Sequence, residues 1–374
     1  MVNYQWEWSK VAEPDRPDRD IDLVFITGAG ASCEFGIGGN RLPLMSEWSD
    51  ALVDKLFKKE ASYLEATGLT KQLSGPRFEQ TLGHFLRVVQ AFPTIESILE
   101  PSRQFQTIEG LRNDNVLKEW HSSTNFHLQA IVKLIHESLY ESFGSNRIDY
   151  EGATRAYEAL FSQLGIGRTQ RLVYATTNYD SIGEYVLDQL GWLPDWGTPH
   201  NSQTNGGEQP LRVEGLLDGI PRYAPVLHLH GSIGWFQRED EAISNSSTSY
   251  NENFGIPMIM LPDPDKDYGS YPLIASLWSE FQTALRRAKQ ILVLGHSLND
   301  KALVTALRDN VDRQERIAIT VYDSGSDGST SPLREELASA ISIPLHFARD
   351  MGSITTKLNE WQERLDQALR KEPA

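Results

Sequence analysis

Four short stretches gather the residue types that could do chemistry. GAGAS, residues 28–32, follows the run VFIT; TTNYD carries Thr177, Asn178 and Asp180 behind RLVYATT; LHLHGS carries His230 behind APVLHLH; and GHSLND carries Gly295 and Ser297 behind QILVLGH. A run of strand type that feeds Gly28 and Gly30 into a helix can turn backbone N–H groups toward a phosphate, with Ala29 and Ser32 beside them, because glycine admits close approach and a helix start favours anions. An amide, a carboxyl and an imidazole at neighbouring strand ends could orient a ligand, balance its charge and take a proton. Open parallel sheets collect ligands at such ends. Each feature also has a plainer reading. GAGAS can be a tight turn with no ligand, Asn or Asp after a strand is often a turn or cap residue, and His228, alternating with His230, is a histidine without evident duty.

Two sharper chemistries are weighed and disfavoured. A dinucleotide fingerprint for hydride transfer wants a third glycine where Cys33 stands and an acidic strand end about 20 residues on. Asp50 has the right separation but sits in MSEWSDALVDKLF, which has helical spacing. Gly-His-Ser also resembles a nucleophile elbow, with Ser297, Asp323 and His346 in hydrolase order. That strained turn needs a small residue where Asn299 stands, and a serine hydrolase would leave GAGAS and TTNYD without work.

The elements that must position these residues follow from periodicity. RLVYATT, APVLHLH, QILVLGH, RIAITVYD and SIPLHF read as strands, several separated by helical patterns, which predicts an α/β, Rossmann-like, doubly wound parallel sheet with helices on both faces. Residues 45–165 carry helix-period patterns, for example FHLQAIVKLIHESLYESF with Ile131, Leu134, Ile135, Leu139 and Phe143 on one face. They predict a large inserted helical module. The polar stretches PDWGTPHNSQTNGGEQP and REDEAISNSSTSYNENFG predict flexible loops. Residues 1–20 read as a Pro-rich, charged lead-in, 21–350 as one catalytic domain including the insertion, and 351–374 as a terminal helix.

Composition bounds the rest. The chain has 374 residues, 40% hydrophobic and 23% charged, with no apolar run near the roughly 18 residues of a membrane span. Its start, MVNYQWEWSK, lacks the basic beginning and apolar stretch of a secretory signal, so the expectation is a cytoplasmic chain that engages no membrane. With 51 acidic and 35 basic residues the net charge is −16, which repels a phosphate backbone and argues against direct nucleic-acid binding. One cysteine, Cys33, permits no internal disulfide and no cysteine zinc cluster.

Taken in order, GAGAS, T-T-N-Y-D, H-G-S and G-H-S-L-N-D resemble the motif series of the sirtuin-like superfamily of NAD-consuming proteins. LPDPDKDYGSYPLIASLWSEFQTALRRAKQILVLGHSLND resembles in particular the bacterial branch associated with antiphage defence. The resemblance implies that Gly28, Ala29, Gly30 and Ser32 line the NAD phosphates and that Thr177, Asn178 and Asp180 belong to the nicotinamide-side loop. It makes His230 the catalytic histidine and brings Gly295, Ser297 and Asp323 to the adenosine half. Protein deacylases of the family follow the histidine with a four-cysteine zinc ribbon, and here no cysteine lies beyond residue 33. They also follow the glycine turn with a Gly-Ile-Pro-Asp-Phe-Arg-like stretch, which FGIGGNRLPLM echoes only at Gly36, Ile37 and Arg41. Both departures favour NAD hydrolysis, without zinc, over deacylation.

Nicotinamide leaves NAD as a neutral base from a cationic pyridinium, so its departure needs no general acid. The site must hold the glycosidic bond, stabilise an oxocarbenium-like transition state and poise a water or ribose hydroxyl. Asn178 suits the orienting role, His230 that of base, and Asp180 the carboxamide or the developing positive charge. The family resemblance further implies a homo-oligomer and a co-encoded activator, a HerA-type hexameric ATPase or, as the second choice, a short Argonaute. The competing expectations are an NAD- or ADP-ribose-sensing module that does not cut, a protein deacylase, and a hydrolase using Ser297.

Overall fold

The structure, a computed structural model, describes residues 20–33, 35–43, 47–48, 51–52, 54–55, 133–163, 165–197, 209–213, 215–218, 222–238, 241–245, 256–260, 271–289, 291–296, 300–310, 317–322 and 345–348. Seven strands form one parallel sheet: β1 (Leu23–Thr27), β2 (Leu172–Thr176), β3 (Leu193–Asp195), β5 (Tyr223–His228), β9 (Ile291–Leu294), β10 (Ile317–Tyr322) and β11 (Leu345–Ala348), in the order β11-β10-β9-β1-β2-β5-β3. From β1 the chain winds one way through β2 and β5 and then returns to the other side of β1 as β9, β10 and β11. The order therefore reverses between β1 and β9, the position where doubly wound sheets open a crevice at their carboxyl edge. β1 pairs in register with both neighbours, Thr27 lying beside Thr176 and Leu294.

Continuous apolar runs build this sheet because both of its faces are covered. Side chains alternate across the strands. Val24 and Ile26 join Val173, Leu227 and Val293 in a core under the helices Pro272–Arg287 and Lys301–Asn310. Leu23 and Phe25 join Tyr174, Val226 and Leu292 in a second core under the helices Tyr150–Gln163 and Ile182–Gln189. Phe25 lies edge-on to Tyr157, Phe161 and Tyr174, with ring centroids 5.5–6.0 Å apart. Asp149 caps the Tyr150–Gln163 helix, its Oδ1 accepting from Gly152 N at 2.9 Å.

All five strand expectations are met. Within the predicted helical module, residues 133–143 and 150–163 are helical, and Leu134, Ile135, Leu139 and Phe143 are buried as one face. Residues 47–48, 51–52 and 54–55 are helical as well, whereas Ile131, Asp50, most of the module between residues 56 and 132, residues 1–19 and the terminal helix lie outside the described residues.

A second, antiparallel sheet was not expected. β4 (Gln209–Pro210), β7 (Glu241–Ser244), β6 (Gly231–Arg238) and β8 (Ile256–Ile259) pair in that order. The two polar stretches read as flexible loops thus contribute β4 and β7. Ile243 explains part of this, being buried among polar neighbours at a position where strict alternation is too short to register. The first residues after His230 enter β6 directly. Gly231 takes φ +76, and a Cβ there would lie 1.8 Å from the carbonyl oxygen of Met258.

Candidate functional site

Four loops leave the carboxyl ends of β9, β1, β2 and β5, and hydrogen bonds link them into a closed circuit. Between the first two, Gly28 N donates to Leu294 O at 3.0 Å and Gly30 N to Gly295 O at 2.8 Å. Gly295 holds φ +63, and a Cβ on it would fall 2.1 Å from Ala31 N; a Cβ on Gly28 would meet His296 Cα at 2.7 Å. The glycines are therefore required first by the approach of one turn to the other. The β1 and β2 loops are joined by Asn178, whose Nδ2 donates to Gly28 O at 2.9 Å and Ser32 Oγ at 2.8 Å. Thr177 N reinforces the join by donating to Thr27 O at 3.1 Å.

The β2 and β5 loops are zipped by Leu229 N to Thr176 O at 2.9 Å, Ile233 N to Tyr179 O at 3.3 Å and Ser232 Oγ to Tyr179 O at 3.4 Å. Closing the circuit, His230 Nε2 lies 2.8 Å from Asp300 Oδ2, the two side chains being 9% and 8% exposed. The other carboxylate oxygen, Oδ1, accepts from Ala302 N at 2.9 Å and Leu303 N at 3.2 Å. One carboxylate thus caps the Lys301–Asn310 helix and spans β1 and β2 to reach the histidine after β5.

These contacts fix chemical states. Gly28 O can only accept, so the amide nitrogen of Asn178 must face it; with both amide hydrogens engaged, Oδ1 is the atom that can accept from a ligand or water. Where Asp300 is ionised it accepts from Nε2–H of His230, and a neutral imidazole in that tautomer carries its lone pair on Nδ1. Asp180 is buried beside Asn178. Burial pushes its carboxyl above the ordinary range against the hydrogen bonds from Ile182 N, at 3.1 Å, and from Ser32. The Ser32 hydroxyl accordingly bridges Asn178 and Asp180.

The sequence-level candidates therefore divide. Asn178, Asp180, His230, Gly28, Gly30, Ser32, Thr177 and Gly295 fall in one loop cluster. The expected helix start after Gly28 is instead the three-residue 3-10 turn Ala29–Ala31. The N–H groups of Gly28, Gly30, Ala31, Ser32 and Cys33 close on protein carbonyls, and exposed Ala29 stands at the crest of the turn. Ser32 points into the Asn178–Asp180 pair. Arg41 is exposed and pairs with Glu47. Ser297 and Asp323 lie outside the described residues, and of His346 only the strand position in β11 is described. Asp300 was missed as a site residue, although its place just before the helical pattern KALVTALR is an N-cap signal. His228 was set aside and proves engaged: Nε2 lies 2.6 Å from Glu184 Oε1 and Nδ1 3.5 Å from Asn178 O. Among the described residues no group of three or more His, Cys, Asp or Glu side chains could hold a metal, and no helix is long and apolar enough to cross a membrane.

Strand order and loop circuit together define a Rossmann-like α/β protein whose polar cluster lies at the switch point of the parallel sheet. Residues 172–343 match the family model described as the SIR2-like domain, and this part of the chain is similar to that family. The match includes Asn178, Asp180, His230, Gly295 and Asp300 and starts after GAGAS, which the sheet supplies by inserting β1 between β2 and β9. A crystal structure of a Sir2 homolog–NAD complex aligns over 93% of this chain and 90% of its own at 13% identity with a TM-score of 0.36, a score at which the alignment carries no argument. A search of curated proteins returns no match.

Proposed function

We propose that this chain is an NAD glycohydrolase that cleaves the nicotinamide–ribose bond to give nicotinamide and ADP-ribose, linear or cyclic. The observation that carries the reading is the circuit of four loops, with the Asn178 amide and the Asp300-tethered His230 in one buried cluster. Similarity to the SIR2-like domain supports NAD as the substrate.

In the hydrolytic step the C–N bond breaks with its electron pair leaving on the nicotinamide nitrogen. A water oxygen bonds to the ribose anomeric carbon and gives its proton to Nδ1 of His230, while Asp300 balances the imidazolium that forms. Asn178 Oδ1 accepts from the water or a ribose hydroxyl and sets its angle. Burial raises the Asp180 carboxyl above its ordinary range, a cationic pyridinium beside it favours the ionised form, and that carboxylate favours the positive charge of the transition state. Ala29, at the crest of the glycine turn, faces the phosphates, and Gly28, Gly30 and Gly295 give the turn its shape. Ser297 and Asp323 are assigned to the adenosine half.

Hydrolysis is favoured over deacylation by the segment after His230, which enters the antiparallel strands β6 to β8 and contains no cysteine. An unrestrained enzyme of this kind would drain its cell of NAD. We therefore assign it a cytoplasmic, partner-activated role in abortive antiphage defence, as a homo-oligomer with a co-encoded HerA-type ATPase or short Argonaute.

Nicotinamide release from NAD, measured with and without the co-encoded partner, tests the reading. Wild-type chain should release nicotinamide, and Asn178→Ala or His230→Ala should lower the rate by about 10²–10⁴-fold. NAD binding without turnover under every condition would instead identify a sensing module.

A further inference from the structure

Behind the site lies a second polar cluster that the mechanism does not use. His228 ends β5 with its side chain fully buried, Trp235 packs edge-on to its ring at 5.1 Å, and Glu184 comes from the first turn of the Ile182–Gln189 helix. Both ring nitrogens point at oxygens: Nε2 at Glu184 Oε1, 2.6 Å away, and Nδ1 at the backbone carbonyl of Asn178, 3.5 Å away. A carbonyl can only accept. So can an ionised carboxylate, and only an imidazolium, with two N–H donors, serves both.

We infer that His228 and Glu184 form a buried ion pair that acts as a positioning device, clamping the carbonyl of Asn178 so that its side-chain amide keeps the angle needed for NAD cleavage. The kinetic part of this inference rests on the proposed function; the ion pair itself does not.

The surroundings are consistent with a charged ring. Burial opposes its charge, but Glu184 and, behind it, Asp180 outweigh burial and hold His228 above its ordinary value. Among the described residues, the carboxyl that acts on the His228–Glu184 pair from outside it is that of Asp180. The phenols of Tyr150 and Tyr174, raised by burial and by the same carboxyls, stay neutral there. The second oxygen of Glu184 is buried with no hydrogen-bond partner among the described residues, so the imidazolium is what balances that carboxylate. Because the ring's pKa is raised on folding, the clamp is complete below the ordinary histidine value and is lost as pH rises through the folded value.

The test has two arms on the full-length chain. In the first, nitrogen-15 NMR of histidine-labelled wild type, with His228→Gln used for assignment among the nine histidines, should show both His228 nitrogens protonated at neutral pH. A neutral-ring pattern there overturns the ion pair. In the second, nicotinamide release is followed against pH for wild type and Glu184→Gln under activating conditions. Removing the carboxylate should lower kcat about tenfold or more and move the alkaline limb at least about one pH unit downward, with NAD Kd within about twofold. Wild-type kcat and profile in Glu184→Gln overturn the positioning role, as does a loss of activity explained wholly by a lower folded fraction. If wild type releases no nicotinamide under any condition, the glycohydrolase reading and the kinetic role fail together, while the first arm still decides the ion pair.

Discussion

The two ends of β1 are held by opposite means. At its amino end, Asp20 and Asp22 meet long cations from neighbouring elements: Asp20 pairs with Arg171 and with Arg287, the latter at 2.7 Å, and Asp22 with Lys289 at 2.8 Å. These side chains remain partly in water, Asp20 being 40% exposed. At its carboxyl end the strand runs into a buried circuit of glycine backbone, amide, hydroxyl and imidazole groups. The exposed pairs tie the start of β1 to β2 and to the Pro272–Arg287 helix at low cost and low gain, since pairs of this kind contribute about 0.2–1 kcal/mol each. Buried polar groups are different, because each one left unpaired costs about 1–3 kcal/mol. The carboxyl end therefore tolerates little change, and the proposed chemistry is assigned to it.

Substitutions at the two ends should separate activity from stability. The largest effect is expected from Asp300→Asn, in which Oδ1 still caps the helix while the new NH₂ faces Nε2 and forces the other His230 tautomer. The thermal midpoint should hold, whereas nicotinamide release should fall by about 10²–10⁴-fold, or about 2.7–5.5 kcal/mol of barrier. A variant that loses stability but keeps its rate would reduce Asp300 to a cap.

Next is Gly295→Ala, which puts a Cβ against Ala31 at a positive φ. Steric overlap and the backbone penalty together should cost about 2–6 kcal/mol in denaturant unfolding. Asp180→Asn should go the other way. Its folded carboxyl lies above the unfolded value, so the ionised form costs stability increasingly as pH rises through that range. Removing the charge should raise the midpoint at neutral pH while lowering kcat, and a lower midpoint would contradict the assignment.

The smallest effect belongs to the amino end. Asp20→Asn should cost about 0.2–1 kcal/mol, shrink further at high salt and leave the rate unchanged. The Arg287 hydrogen bond, against burial and aided by the charges of Arg171 and Arg287, holds Asp20 at about 2 from an ordinary 3.8. Its contribution is therefore present above the ordinary value and is lost as pH falls through about 2. Urea titrations between neutral and strongly acidic pH would display the difference between wild type and variant closing over that interval.

The same contrast explains what was legible in the sequence. VFIT, LVYAT, ILVL and their companions declare a two-faced parallel sheet because they are apolar at nearly every position, with Thr27 and Thr176 at the ends of the first two. Asn178, Asp180 and His230 stand out because each follows such a run. The roles of Ser32, His228 and Glu184 were hidden because they depend on partners at separations no local pattern reports: Ser32 works on the β2 loop, and His228 reaches a helix 44 residues earlier. The glycines were read as ligand-facing when packing between the β1 and β9 turns already requires them. β4 and β7 were obscured by their length, two and four residues within polar segments.

Cleavage as proposed requires a single dinucleotide seated across the loop circuit, and a crystal structure of the His230→Ala chain grown with NAD tests this requirement most directly. It predicts the nicotinamide ribose between Asn178 and position 230, with the phosphates over Ala29 at the Gly28 turn. NAD bound elsewhere, or separated from Asn178 by the turns of β1 and β9, would contradict it.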